Sequence, residues 1–296
     1  MNDRIGRRTF LVNVLSTAGA LAVSASPLAG NVLSAPLTVQ QVINLILQSG
    51  PITPRTDTQD TIKSGRGDQV VTGIVTTMFP TIRVIKEAVK LKANFIIAHE
   101  PTFYNHRDDT TWVKNNSVVS AKHALLEKYG IAVWRFHDYC HAMKPDMISY
   151  GVAKKANWLS WYKTGEWMLN IPTQSLRQLV QHLKRSLGIA HVRVIGNLEQ
   201  PCSRIALMPG AWGGQRQVTV AETEKPDVLI VGETTEWETV EYIRDGQLLG
   251  RKTALVVLGH SVSEEPGMEW LVEWLQPKVG AVKVVHVGSG DPFEWV

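Results

Sequence analysis

Apolar residues recur along this chain at two spacings, and the switches between them outline the elements. Val39, Val42, Ile43 and Ile46 follow the three-and-four spacing of a helix face, and Thr38 with Gln41 has the form of a capping box, so a helix is predicted over 38–48. Pro51, Pro54 and the polar residues as far as Asp68 predict a loop. A strand is then predicted over 70–77, a helix over 80–91 opened by its proline, and a wholly apolar strand over 95–98. Next come a helix over 120–129 closed by Gly130, a strand over 131–136 and a helix over 146–157. Leu176, Leu179, Val180 and Leu183 form one face of a helix over 175–187 that Gly188 ends. Short strands over 192–195, 205–208, 228–231 and 253–258 lead to a helix over 264–275 and a last strand over 282–287. Strands interleaved with helices predict an α/β layered fold. Neither heptads nor a repeat of solenoid period are present.

The amino-terminal pattern is different. No Asp, Glu, Lys or Arg occurs from Thr9 to Pro54, and the stretch is introduced by Arg7-Arg8-Thr9-Phe10-Leu11. A basic start, an apolar run to Ala25 and small residues at Val23-Ser24-Ala25 predict a cleaved export signal over 1–25 of the twin-arginine type. A membrane anchor needs about 20 strongly apolar residues. Here the run is diluted by Asn13, Ser16, Thr17 and Gly19. The expectation is therefore a periplasmic protein, carried out folded by the twin-arginine export machinery and without stable membrane association after cleavage.

Composition narrows the class without choosing within it. A length of 296 residues suggests about two packed units. Apolar residues at 44% and charged residues at 20% exclude wholesale disorder. A net charge of +4 is too weak to argue for a nucleic-acid partner. Cys140 and Cys202 permit one disulfide but no disulfide framework.

Chemistry enters where strands end. Phe95 to Ala98 runs into His99-Glu100, Ile131 to Phe136 into His137-Asp138-Tyr139-Cys140-His141, and Leu255 to Gly259 into His260 with Glu264 four residues on. Ligands of α/β sheets collect beyond the carboxyl ends of strands. Several ionisable groups brought together there are costly without a cation, so the three clusters point to one shared metal site. Ser263 is expected to cap the last helix, with Glu264 in its first turn, where the dipole favours a carboxylate. His106, His123, His182, His191 and His286 lack the strand-end context and are expected to be surface or packing residues, as are Trp158, Trp161 and Trp167.

Four segments resemble a known family, the Nif-three-like dinuclear metal-centre proteins, also called GTP cyclohydrolase I type 2-like. NFIIAHEPTF (94–103) is similar to the family's apolar strand followed by His-His-Pro. VWRFHDYCH (133–141) resembles its His-Thr-Asn-Leu-Asp segment, DVLIVGE (227–233) its Asp-apolar-Thr-Gly-Glu strand end, and LGHSVSEEPGMEWLVEW (258–274) its Gly-His-x-x-[Ser/Thr]-Glu turn and helix. The family's second His is Glu100 here, and its Asp falls at His141, an exchange that conserves the ligand total. The resemblance implies two intertwined α/β lobes, about 36–165 and 170–296, with the metal site between them at strand carboxyl ends. It implies two divalent ions per chain held by His99, Glu100, His141, His260 and Glu264, with His137, Asp138 and Cys140 as secondary candidates. It also implies a homohexamer.

Mixed imidazole and carboxylate donors suit Zn, Mn, Fe, Co or Ni, and a thiolate from Cys140 would favour zinc. Two such ions can activate a shared water and polarise a substrate, so a metal-dependent hydrolase is expected. A non-catalytic metal-binding or scaffold homo-oligomer is the alternative. No Walker-type loop is present to bind a triphosphate.

Overall fold

The capping box anticipated at the start of the chain is formed: Thr38 Oγ1 accepts from Gln41 N, Gln41 Oε1 accepts from Thr38 N, and α1 covers Val39–Gln48. The structure, a computed structural model, describes residues 36–296 apart from Pro54 and Trp295. The predicted export signal lies outside the described residues.

Two five-stranded sheets carry the molecule, a mixed α/β architecture. The first has the order β1-β4-β3-β2-β10, built from Ile62–Ser64 (β1), Ile74–Thr77 (β2), Phe95–Ala98 (β3), Ala132–Arg135 (β4) and Val284–His286 (β10). β2, β3, β4 and β10 are parallel, and β1 lies antiparallel on β4. The second has the order β5-β7-β8-β9-β6, from Met168–Ser175 (β5), Arg193–Ile195 (β6), Pro201–Met208 (β7), Val228–Val231 (β8) and Ala254–Val257 (β9). Its inner strands β7, β8 and β9 are parallel, and both edge strands are antiparallel. β2, β3, β4, β8 and β9 are buried at every position, which is why their sequences read as apolar or small runs, broken only by Arg135 at the end of β4.

Helices α2 (Ile82–Lys90) and α3 (Ser117–Lys128) contribute to one core on the first sheet, while α1 and α9 (His260–Leu275) contribute to the other. α5 (Met147–Lys155) places Met147 and Ile148 in the first-sheet core and Val152 and Ala153 in a core of the second sheet. α6 (Leu176–Leu187) packs beneath the second sheet behind a second capping box, Ser175 with Gln178, and ends at Gly188 in the left-handed region. α7 (Gly214–Thr223) and α8 (Glu241–Leu248) cover its other side. A five-residue helix, α4 (Asp138–Ala142), follows β4.

The last long helix begins earlier than its sequence suggests. α9 starts at His260, with Gly259 preceding it at φ 102, and so His260 and Glu264 share its first turns. Ser263 is not the cap: its hydroxyl donates to the His260 carbonyl and accepts from Gly210 N at 2.9 Å. Pro266 is accommodated inside the helix.

Candidate metal centre

The carboxyl ends of β3 and β4 in one sheet and of β9 in the other deliver their polar residues to a common point. His99 is fully buried, and its Nδ1 donates to the Phe136 carbonyl at 3.1 Å. His137 Nδ1 donates to Asp138 at 3.0 Å, His141 Nδ1 to Asp146 at 2.9 Å and His260 Nδ1 to Glu233 at 3.1 Å. Each of the four imidazoles is thus oriented by an oxygen at Nδ1, which leaves Nε2 as the nitrogen available to a ligand. His260 Nε2 lies 3.0 Å from Glu264 Oε2 and 3.4 Å from Glu100 Oε1. His99 Nε2 lies 3.7 Å from Glu264 Oε2, and His137 Nε2 lies 3.6 Å from Glu100 Oε1. Ring centroids of His99, His137 and His141 are separated by 4.8, 5.1 and 5.1 Å.

Among the described residues, two groups bring their ligand atoms within 4.8 Å of one another: His99, His137 and His141, and His99, Glu100 and Glu264. Those groups share His99, and His260 adjoins the second. His99 Nε2 is buried with no hydrogen-bond partner among the described residues. An orphaned buried lone pair costs about 1–3 kcal/mol, and a cation is the group that satisfies it without a proton. The donor set and this orphaned nitrogen fit a divalent ion.

Protonation reports the same crowding. Burial opposes charge on His260, but its hydrogen bonds to the Glu100, Glu233 and Glu264 carboxylates push its pKa up to about 12. Burial likewise opposes charge on His141, and Asp146 outweighs it, raising the pKa to about 9. His137 falls to about 4 through burial and the neighbouring His99 and His141. Glu264 resists its own burial and is held well below the usual carboxylate range by His99 and His260. In the absence of metal, protons on His141 and His260 neutralise the carboxylates.

Three groups outside the expected set position this cluster. Asp60, in the stretch read as a loop, is buried and accepts from the backbone N–H groups of His137, Asp138 and Tyr139, which fixes the start of α4. Asp146 caps α5 through Ser149 N while holding His141. Arg135, fully buried, donates from Nε to the His99 carbonyl at 3.2 Å, from Nη1 to the His106 carbonyl, and from Nη2 to Glu100 Oε2 at 3.3 Å. Glu100 is thereby left with Oε1 facing the imidazoles. Gly210 leaves room for Glu264, because a Cβ built there would run into its carboxylate.

Among the secondary candidates, His137 joins the three-histidine group and Asp138 stands behind it. Cys140 does not reach the centre: it points into the apolar core, and burial raises its thiol pKa well above the ordinary value. The helical turn of α4 sends residue 140 inward and residues 137 and 141 outward together, which a strand-end reading of this segment does not anticipate. Cys140 and Cys202 are both free and lie in different cores, so they form no disulfide with each other. His106, expected at the surface, lines the cavity beside the cluster, 5.6 Å from the His137 ring. His286, also expected to be incidental, lies 3.1 Å from buried Glu265 and ties β10 to α9. His123 and His182 are packing residues, stacked on Phe103 and Trp158.

The cluster opens into a cavity of about 900 Å³. Its outer walls include Phe79, Tyr104, Trp212 and Arg216.

Comparison with known proteins bears on the family and the fold. The pattern of the Duf34/NIF3 (NGG1p interacting factor 3) family matches residues 38–292. The chain is 21% identical over 273 residues to a Clostridium perfringens protein named GTP cyclohydrolase 1 type 2 homolog, covering 88% of this chain and all of that one. Among solved structures, a hypothetical protein of Staphylococcus aureus superposes with a TM-score of 0.71 at 18% identity, over 88% of this chain and 100% of its own. A Bacillus cereus protein related to NIF3 gives 0.69 at 16% identity, over 88% and 99%. At these identities the two structures speak for the fold.

Proposed function

The chain belongs to the Duf34/NIF3 family, and on that footing we propose that it is a metal-dependent hydrolase holding two divalent ions per chain. One observation carries the reading: four imidazoles, each braced at Nδ1 by an oxygen, converge on the Glu100 and Glu264 carboxylates with one buried nitrogen left unpartnered. His99, Glu100, His137, His141, His260 and Glu264 would hold the ions, with Zn, Mn, Fe, Co or Ni matching the donors and no thiolate to tilt the choice. Bound there, such ions supply Lewis acidity toward a substrate oxygen and a water activated at neutral pH. The chain's own part is orientation. Glu233, Asp146 and Asp138 fix three imidazole planes, Arg135 holds Oε2 of Glu100 and so leaves Oε1 free toward the imidazoles, and Glu264 is buried.

Elemental analysis of protein purified without chelator tests the centre, with two divalent ions per chain expected. His99→Ala and Glu264→Ala should each empty it, and two ions retained in both Glu100→Ala and His141→Ala would remove those residues from the ligand set. Catalysis is tested with a panel of phosphoesters, cyclic amides and nucleotides, GTP among them because of the Clostridium perfringens relative's name. Turnover abolished by chelator and by His260→Ala supports the hydrolase. Tight metal binding with no turnover favours a non-catalytic metal-binding homo-oligomer. We also propose export through the twin-arginine route to the periplasm and assembly into a homohexamer, as the family resemblance implies. Fractionation of an Arg7→Lys, Arg8→Lys variant and light scattering of the mature protein decide these two.

A further inference from the structure

The cavity is larger than a metal centre needs, and its outer walls have a chemistry of their own. Tyr104 is half exposed and sits at φ 68, a left-handed conformation for a residue with a side chain. Such backbone costs about 1–3 kcal/mol and persists where the surroundings enforce it, typically around ligands. The Lys122 ammonium lies 5.1 Å from the Tyr104 ring centroid while donating to the Thr102 carbonyl at 2.6 Å. That lysine is buried and committed, so it supports the ring rather than meeting a ligand's charge. From the second sheet, Trp212 receives the Arg216 guanidinium over its face at 5.3 Å and Trp167 edge-on at 6.0 Å. Arg216 is exposed and forms no ion pair among the described residues. The amino end of α7 is not a competing anion site, because a Cβ at Gly214 would run into the Glu238 carboxylate already packed there. The remaining charged groups of the lining, Glu100, Asp146 and Glu264, are acids paired with the imidazoles. One uncommitted cation held on an aromatic plane, in the cavity that also holds the imidazole and carboxylate cluster, defines a narrow class of ligand.

We propose that the cavity binds a planar aromatic molecule carrying a single anionic group, its ring against Trp212 and Tyr104 and its anion on Arg216. His260 and Glu264 line the same cavity and would face the rest of the molecule. The proposal names the substrate class for the hydrolase reading above and rests on that reading for the reaction. Away from the metal end the lining offers one free guanidinium, which matches a single anion there and not the several charges of a triphosphate.

The test uses the full mature protein, with 2-naphthoate as probe against 2-naphthamide, cyclohexanecarboxylate and GTP. Calorimetry and tryptophan quenching read the binding. Loss of stacking or of the charge contact is expected to weaken binding about tenfold each, so 2-naphthamide and cyclohexanecarboxylate bind at least that much more weakly than 2-naphthoate. Cyclohexanecarboxylate also controls for simple coordination of a carboxylate by the metal. Trp212→Leu should abolish the preference for the aromatic ring, and Arg216→Met the preference for the anion. Both variants alter exposed or half-buried side chains, and their metal content reports that the centre is intact. Equal binding of 2-naphthoate and cyclohexanecarboxylate, unchanged binding in both variants, or tighter binding of GTP overturns the proposal. Metal content of the same samples separates the two readings. Metal-loaded protein without these preferences sinks the ligand class alone, and metal-free protein that keeps them sinks the metal centre alone.

Discussion

His141 and His260 must each give up a proton before a metal can use them. Their pKa values, about 9 and about 12, lie above neutral pH because carboxylates surround them. At pH 7.5 metal binding should therefore release about two protons per chain, with the binding constant rising about a hundredfold per pH unit. The slope halves once His141 has lost its proton above pH 9. Calorimetry in buffers of different ionisation enthalpy counts those protons, and a pH-independent affinity would contradict the protonation states described. The sign reverses for the metal-free fold. Raised from 6.5, the pairing of His141 with Asp146 stabilises it fully below pH 6.5 and is lost as pH rises through about 9. His99, Glu100, His260 and Glu264 were legible in the sequence because strand ends in α/β sheets gather ligands. Asp60, Asp146 and Arg135 were not. Their roles depend on hydrogen bonds across 35 to 79 residues of chain or on a cap, and no local pattern announces such partners.

α9 and α5 show the same division between local signal and tertiary contact. They cross glycine to glycine: a Cβ on Gly151 would lie 2.5 Å from Gly267 Cα and 2.5 Å from the Pro266 carbonyl oxygen. Gly151→Ala should cost about 1–3 kcal/mol by overpacking, seen as a lower denaturant midpoint. Since α9 carries His260 and Glu264, metal affinity should fall in the same variant. An unchanged midpoint would mean that the crossing relaxes freely. Elements with an unbroken apolar run or a cap, such as α1, β3, α6 and β8, were readable in sequence. β5 was missed because Pro172 and polar residues interrupt it, a pattern tolerated on an antiparallel edge where the register shifts between Asn170 and Gln174. α7 was missed too, its exposed face polar and its start marked only by glycines. The π-helical turn Glu236–Val240 leading into α8 has no sequence signature at all.

Across the whole molecule, the centre joins residues delivered by both sheets, so bound ions should hold the native state against unfolding. Ions present at roughly a thousand times their Kd contribute about 4 kcal/mol. Each kcal/mol moves the midpoint of a domain this size by about 2–4 °C. Chelation should then lower Tm by about 10 °C, and refilling with zinc or manganese should restore it; a Tm indifferent to chelator would place the ions elsewhere. The order of strands carries one more consequence. The first sheet is begun by β1 near residue 62 and finished by β10, Val284–His286, which pairs with β2. Pairing between segments so far apart along the chain forms slowly, so the sheet edge at β10 and the brace from His286 to α9 should be late events in refolding, after the pairing of β2, β3 and β4. On the reading proposed above, an ion offered during refolding should be captured only in that late phase, because His260 and Glu264 stand on the helix that β10 braces.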